Sequence, residues 1–368
     1  MLAARAGTAL TALLALYVVL QATAGCASAS EPRASASWLG FRAGHWPSAD
    51  WRPYAPSSPF NRRIAARPRV HPRSERIVAQ LLAWGEPAQL VAGANDSTDD
   101  YAHPTYYATS KDPLFRLRSD APWSRSAVDG RRIRIPDAAR PAAGGDGHMT
   151  VVQPDGWEYD FWQVRSKPRG GGMMRYTHGN RIRIDGDGLH ARATASGFGT
   201  LAGIIRAPEL AAGRIEHALF LVVRCTAPSR AFGYGARRRD GDGAYVYPAD
   251  GGDARCGSDE PDAPPMGARL QLAMSDAQIA ALPMPRWKKG ILRALAHYGG
   301  YVGDTGGPGF GVQIESSTTY TAFGRPDPLV QLAQRSPNVQ TYLDRYLFDL
   351  ADGVDWTRYL RVITPPKR

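Results

Sequence analysis

The chain is poor in cysteine: Cys26, Cys225 and Cys256 are the only three in 368 residues. That scarcity excludes a four-cysteine metal cluster and a disulfide-dense small scaffold. Lysine is scarce too, because Lys111, Lys167, Lys288, Lys289 and Lys367 are the only lysines among 45 basic residues. Arginine supplies the rest and is scattered. The formal charge of +11 therefore does not form the aromatic-interleaved basic stripe of a nucleic-acid surface, and no nucleic-acid partner is expected. A weak attraction to anionic polymers is compatible with the charge. The one tight run, Arg237-Arg238-Arg239, lies in a Gly-rich loop beside Asp240 and Asp242. A Gly-x-Ser-x-Gly nucleophile elbow, a His-x-x-x-His pair and a lysine-bearing phosphate loop are all missing. Beyond the N-terminus no run is long and apolar enough to span a membrane.

What is present begins at the N-terminus. Arg5 precedes the apolar stretch Ala9 to Ala22, and Ala22-Thr23-Ala24 and Ala27-Ser28-Ala29 are small-x-small cleavage patterns. Residues 1–29 thus read as a signal peptide and the protein as secreted. A cell-surface lipoprotein is the variant reading, so membrane attachment is expected only if Cys26 is lipidated or the signal stays uncleaved. With Cys26 set aside, Cys225 and Cys256 remain as an even pair, expected to form a disulfide outside the cytosol. In the chain-entropy picture such a bridge stabilises the fold by roughly 3–4 kcal/mol.

The 39 glycines and 29 prolines predict many turns and few long helices. Residues 30–62 read as an extended N-terminal segment whose Trp38, Phe41, Trp46, Trp51, Tyr54 and Phe60 plug gaps on the domain. Residues 63–368 read as a single β-rich domain. Helical spacing marks Ser74 to Trp84, Pro208 to Ala212, Pro285 to Tyr298 and Asn338 to Leu350. In the third of these Lys288, Lys289 and Arg293 are expected to face water. Alternation marks strands at Arg132–Ile135, Arg181–Ile184 and Ala268–Leu272. His148 to Val152, the turn Pro154-Asp155-Gly156 and Trp157 to Trp162 form a β-hairpin. Arg214 to Cys225 reads as a buried strand, and residues 226–255 as a turn-rich excursion closed by the disulfide. The expected fold class is mainly β, a β-sandwich or jelly roll with a few packed helices.

Candidate chemistry concentrates in the hairpin. Residues two apart in a strand share a face, so Glu158 and Asp160 point together while Tyr159 and Phe161 enter the core. Two carboxyls on one face, between Trp157 and Trp162, suit glycosidic cleavage: one protonated acid, one ionised partner, and rings that stack on sugars. Asp304 ends a strand among glycines that leave room for a ligand, or else it caps its own turn. His217 is a polar residue in an apolar row, either hydrogen-bonded in the core or lining a cleft as a proton carrier. Arg206 could clamp a carboxylate or pair with Glu209. His148 joins His217 and Arg206 as an orienting or neutralising group. No metal site is expected, although the Asp-Gly-Asp-Gly stretches at 185–188 and 240–243 could offer oxygens to Ca²⁺.

The strand Glu158-Tyr159-Asp160-Phe161-Trp162-Gln163 resembles the Glu-x-Asp-x-x-Glu strand of laminarinase-like jelly-roll glycosidases. The resemblance implies Glu158 as nucleophile and Asp160 as its helper. It departs at Gln163, which stands where that family has its acid/base glutamate and cannot serve as one. A wider resemblance runs through His148–Gln163, Gly213–Leu219, Pro265–Leu270 and Tyr298–Gly307. These segments are similar to an uncharacterised family of secreted bacterial proteins, which implies export and a shared fold but no activity.

The resulting expectation is a secreted carbohydrate-active enzyme, a glycoside hydrolase rather than a polysaccharide lyase, acting on a polysaccharide or oligosaccharide. Its catalytic groups would be Asp160, Glu158, Asp304, His217 and His148. Arg206, Trp157 and Trp162 would bind substrate. The alternative is a non-catalytic glycan-binding protein, secreted or envelope-attached. The catalytic reading requires Asp160, Asp304 and His217 to share one cleft.

Overall fold

Hydrophobic alternation and frequent turns produce a molecule that is mainly sheet. The computed structural model describes residues 46–93, 100–121, 126–191, 193–307 and 309–365. The expected signal peptide, Cys26, Trp38 and Phe41 lie outside the described residues. In chain order the strands are β1 (Leu90–Ala92), β2 (Thr105–Tyr107), β3 (Leu114–Ser119), β4 (Arg132–Arg134), β5 (Met149–Val152), β6 (Trp157–Ser166) and β7 (Gly172–Arg183). They continue with β8 (Leu219–Val223), β9 (Arg269–Leu272), β10 (Gly300–Thr305), β11 (Phe310–Val312), β12 (Val339–Tyr342), β13 (Arg345–Phe348) and β14 (Leu360–Ile363).

Among the described residues these form three sheets, ordered β2-β5-β6-β7-β3-β4, β11-β8-β10-β9-β14 and β1-β13-β12. The two larger sheets are mixed. β5, β6 and β7 run antiparallel, whereas β2 pairs with β5, β3 with β7, and β10 with β8 in parallel. The six-stranded sheet is buried on both faces at β5 and at Glu158–Phe161 of β6, whereas Arg116, Arg118, Arg132 and Met173 on β3, β4 and β7 are exposed. Tyr159, Phe161, Tyr106 and Tyr176 pack into one apolar cluster. Tyr107, Val152 and Ile182 join the larger core with Leu221, Val302, Leu270 and Val362 of the five-stranded sheet.

Four of the expected elements follow directly from their sequence signals. Helix α1 (Ser74–Ala83) buries Ile77, Val78 and Leu81 and carries Glu75 in its first turn. The short α2 (Ala207–Ala212) carries Pro208 in its first turn and stops at left-handed Gly213. The β5–β6 turn closes with Gln153 N–H donating to the Trp157 carbonyl at 2.7 Å, and Gly156 there takes φ +84°. After α3 (Asp276–Ala281), helix α4 (Arg286–His297) buries Trp287, Ile291, Leu292 and Leu295. Lys288, expected in water, is instead buried: its Nζ donates to Asp349 Oδ2 at 2.9 Å and to the Asp352 carbonyl at 2.7 Å. Short helices α5 (Thr318–Thr321), α6 (Pro328–Arg335) and α7 (Trp356–Tyr359) complete the chain.

Two expectations are corrected. The helix expected over Asn338–Leu350 is the hairpin β12–β13, with Asn338 and Leu343 at positive φ. Val339, Thr341, Tyr346 and Phe348 favour a pleated surface, and β1 supplies the partner that completes it. The N-terminal segment is less peripheral than expected. Tyr54 and Phe60 are core residues, while Trp46 and Trp51 are partly buried against the core. The Cys225–Cys256 disulfide is formed, with Cα atoms 5.2 Å apart, and closes the irregular excursion between β8 and β9.

Candidate active site

A cavity of about 600 Å³ opens where the two large sheets meet. Its described lining includes Asp146, His148, Trp162, His178, Asp253, Asp304 and Thr305. Each comes from a distinct local device. Asp146 and His148 belong to a Gly-rich turn fastened to β6, because Gln163 and Val164 donate backbone hydrogen bonds to the carbonyls of Asp146 and Gly147. Trp162 and His178 are cross-strand partners on β6 and β7. Asp253 lies on the disulfide-closed excursion. Asp304 ends β10.

The position of Asp304 depends on a bulge. β10 pairs in register up to Val302 opposite Leu221, then slips so that Asp304 stands opposite Val222. Without the slip Asp304 would lie opposite Val223, a fully buried core residue. Gly303 permits the distortion, since a Cβ there would fall 2.5 Å from the Phe220 ring. Bulges of this kind re-aim a side chain beside a site.

Polar contacts then fix the lining. Trp162 Nε1 donates to Asp146 Oδ1 at 3.0 Å, while the other Asp146 oxygen lies 4.0 Å from His148 Nε2. The Thr305 hydroxyl donates to Asp253 Oδ2 at 2.9 Å, and the Thr305 N–H donates to Asp304 Oδ1 at 2.8 Å. Burial pushes the Asp304 carboxyl up to about 7, and the negative charges of Asp253 and Asp146 add to the effect. Burial lowers His148, against the opposing pull of Asp146. Behind it His103 stacks on the His148 ring at 4.2 Å. His103 is buried and pushed well below the usual histidine range, by burial first and by His148 second. Its Nδ1 has no hydrogen-bond partner among the described residues.

Of the residues singled out from sequence, the cavity gathers His148, Trp162 and Asp304. It does not gather the others. Glu158 and Asp160 do share a face, but that face is sealed against the larger core and both side chains have no exposed surface. Glu158 accepts from the Tyr54 hydroxyl at 2.6 Å and from Leu201 N–H at 2.9 Å. Asp160 accepts from Thr150 Oγ1 at 2.8 Å and from Thr200 N–H at 3.2 Å. The two carboxyls hydrogen-bond each other, and burial raises both. A side chain on Gly199 would collide with Tyr54 Oη and Ile182, which shows how tightly this pair is enclosed. Gln163 accepts from Arg165 Nη2 and the Thr177 hydroxyl, as a surface amide does.

Arg206 and His217 belong to a second buried network. Arg206 donates to Glu209 Oε1 at 2.8 Å and to the carbonyls of Ser48 and Trp51, and so fastens the N-terminal segment. His217 Nε2 lies 3.3 Å from Glu209 Oε1, and its Nδ1 bonds the Ala218 carbonyl at 2.9 Å. Burial alone would raise Glu209, but Arg206 and then His217 outweigh it and bring the carboxyl to about 2. Both residues thus take the core alternatives that their sequence context offered. Trp157 also lies off the cavity, with the Arg181 guanidinium 3.8 Å over its ring.

The sequence reading missed Asp146, Asp253, His178 and His103. Asp146 sits in a Gly-Asp-Gly-His turn that reads as punctuation. His178 could be found only from the β6–β7 register. For Asp253 and His103, nothing local in sequence distinguishes them.

For metals, the described residues hold one group of three His, Cys, Asp or Glu ligand atoms within 4.8 Å of one another: Cys225, Cys256 and Glu260. Its two sulfurs are already joined in the disulfide. Of the aspartates that could offer oxygens to Ca²⁺, Asp185 pairs with Arg183 at 2.8 Å, and Asp187 Oδ1 accepts from Leu189 N–H.

Comparison with protein-family models, curated proteins and solved structures finds no match to the chain.

Proposed function

We propose that the protein is an exported carbohydrate-active hydrolase whose acid is Asp304. One observation carries the reading. A carboxyl pushed up to about 7 stands in a 600 Å³ cavity beside a second carboxyl, Asp146, that is oriented by a tryptophan. A carboxyl titrating near neutrality is a matched general acid. In the reaction Asp304 gives its proton to the glycosidic oxygen as the bond from that oxygen to the anomeric carbon breaks. Asp146 takes a proton from the water that adds to that carbon. The half-buried Trp162 ring offers a sugar a stacking face, and His148, held neutral by burial, is a hydrogen-bond partner without charge. The charged groups among the described lining are acidic, which favours an uncharged or cationic sugar. The disulfide supports export, and two sheets sharing one core support a sandwich-like architecture.

The test is incubation of purified protein with neutral and amino-sugar polysaccharides, followed by reducing-end assay and product mass spectrometry. Hydrolysis that Asp304→Asn abolishes while the fold is kept supports the reading. Saturable retention of a polysaccharide with no new reducing ends would replace it with the glycan-binding alternative.

A further inference from the structure

A second cavity, of about 460 Å³, lies apart from the lining just described and includes Arg237, the first residue of the arginine run. Its walls include Arg69, Arg237, Tyr234, Tyr245 and Tyr247. One wall is the segment at Arg69, whose carbonyl accepts from Thr364 N–H at 2.8 Å. The other is the disulfide-closed excursion, in which Arg237 and Tyr245 exchange two backbone hydrogen bonds of 2.8 Å. His71 steadies that wall, stacking on Phe232 at 4.1 Å and lying 5.3 Å from the Tyr234 ring. The walls are therefore fixed by backbone pairing, and the volume suits a small ligand, whose sites occupy roughly 300–1,000 Å³.

The chemistry of the lining is specific. Among the described residues, neither the Arg69 nor the Arg237 guanidinium has a carboxylate or carbonyl partner. Asp240 and Asp242, close in sequence, do not line the cavity. Two uncommitted guanidinium groups beside three tyrosine rings offer bidentate donors for an anion and flat faces for a sugar ring. We infer that this cavity binds an acidic sugar, a pyranose bearing a carboxylate, as part of a polysaccharide chain. The site is independent of the hydrolytic reading. The described charges of the Asp304 cavity and of this one are opposite in sign, so the two cavities select ligands of different charge.

Calorimetric titration of the full protein with trigalacturonate at 0.15 M NaCl tests the inference. Saturable binding is expected, with maltotriose giving none. Arg69→Gln and Arg237→Gln, both at exposed positions, each weaken it roughly tenfold or more, as loss of a charge-assisted pair does. Arg67→Gln, which removes the same charge outside the cavity, leaves binding unchanged, as does Asp304→Asn. The inference is overturned if trigalacturonate does not bind, if maltotriose binds equally, or if the three arginine variants behave alike. Sulfated sugars or inorganic sulfate binding as tightly as trigalacturonate would also overturn it.

Discussion

The imidazole of His148 lies 4.2 Å, centroid to centroid, from that of His103, with the two rings inclined by 26°. One ring lines the Asp304 cavity and the other is buried behind it, its Nδ1 without a partner among the described residues. Burial disfavours a proton on both rings, most strongly on His103, and a charge on either would face the other.

This gives the first prediction. The unfolded chain takes up a proton at His103 as pH falls through the ordinary 6.5, whereas the folded chain refuses it. Stability from this site is therefore present above about 6.5 and lost as pH falls below it. His103→Phe keeps a ring in the stack and removes the titrating group. Urea denaturation at pH 7.5 and 5.5 should show a smaller acid loss in the variant. An identical loss in both proteins would contradict the neutral stack.

Arg206 and Glu209 form a buried pair whose side chains are 3% and 1% exposed. Removing one partner leaves the other charged and dry, so Arg206→Met should cost about 3–5 kcal/mol. Chemical denaturation measures this. A variant of undiminished stability with only a raised KM would restore the substrate-clamp reading.

Glu158 offers a contrast between two substitutions. Glu158→Ala leaves the Tyr54 hydroxyl and Leu201 N–H without an acceptor, at about 1–3 kcal/mol for each orphaned group. Glu158→Gln keeps the shape and an acceptor and should stay within about 1 kcal/mol of the parent. The raised carboxyl means the folded chain holds a proton that the unfolded chain loses above its ordinary 4.5. Wild-type stability from this group is thus present at low pH and lost as pH rises, so the Gln variant gains relative to wild type from pH 4.5 upward. A catalytic Glu158 would instead lose activity in the Gln variant at unchanged stability.

These contrasts explain what could be read from the sequence. Period-two alternation placed Tyr159 and Phe161 in the core correctly. Alternation gives a face but not what covers it. The face of Glu158 and Asp160 is closed by Tyr54, 104 positions earlier, and by Thr200 and Leu201. The slip at Gly303 that turns Asp304 toward the cavity depends on the partner strand β8, far away in the chain. The hairpin at 339–348 likewise depends on β1. Local pattern was legible, whereas register and long-range closure were not.

The central claim is that Asp304 works as an acid in its protonated form. Its most direct test is the pH dependence of kcat on a hydrolysed polysaccharide. Since the acid must carry its proton, kcat should fall as pH rises through about 7, where burial places the Asp304 carboxyl. The Asp304→Asn variant should lose roughly 10²–10⁴-fold at the optimum. A rate that climbs through pH 7, or an Asn variant as active as wild type, would contradict the account.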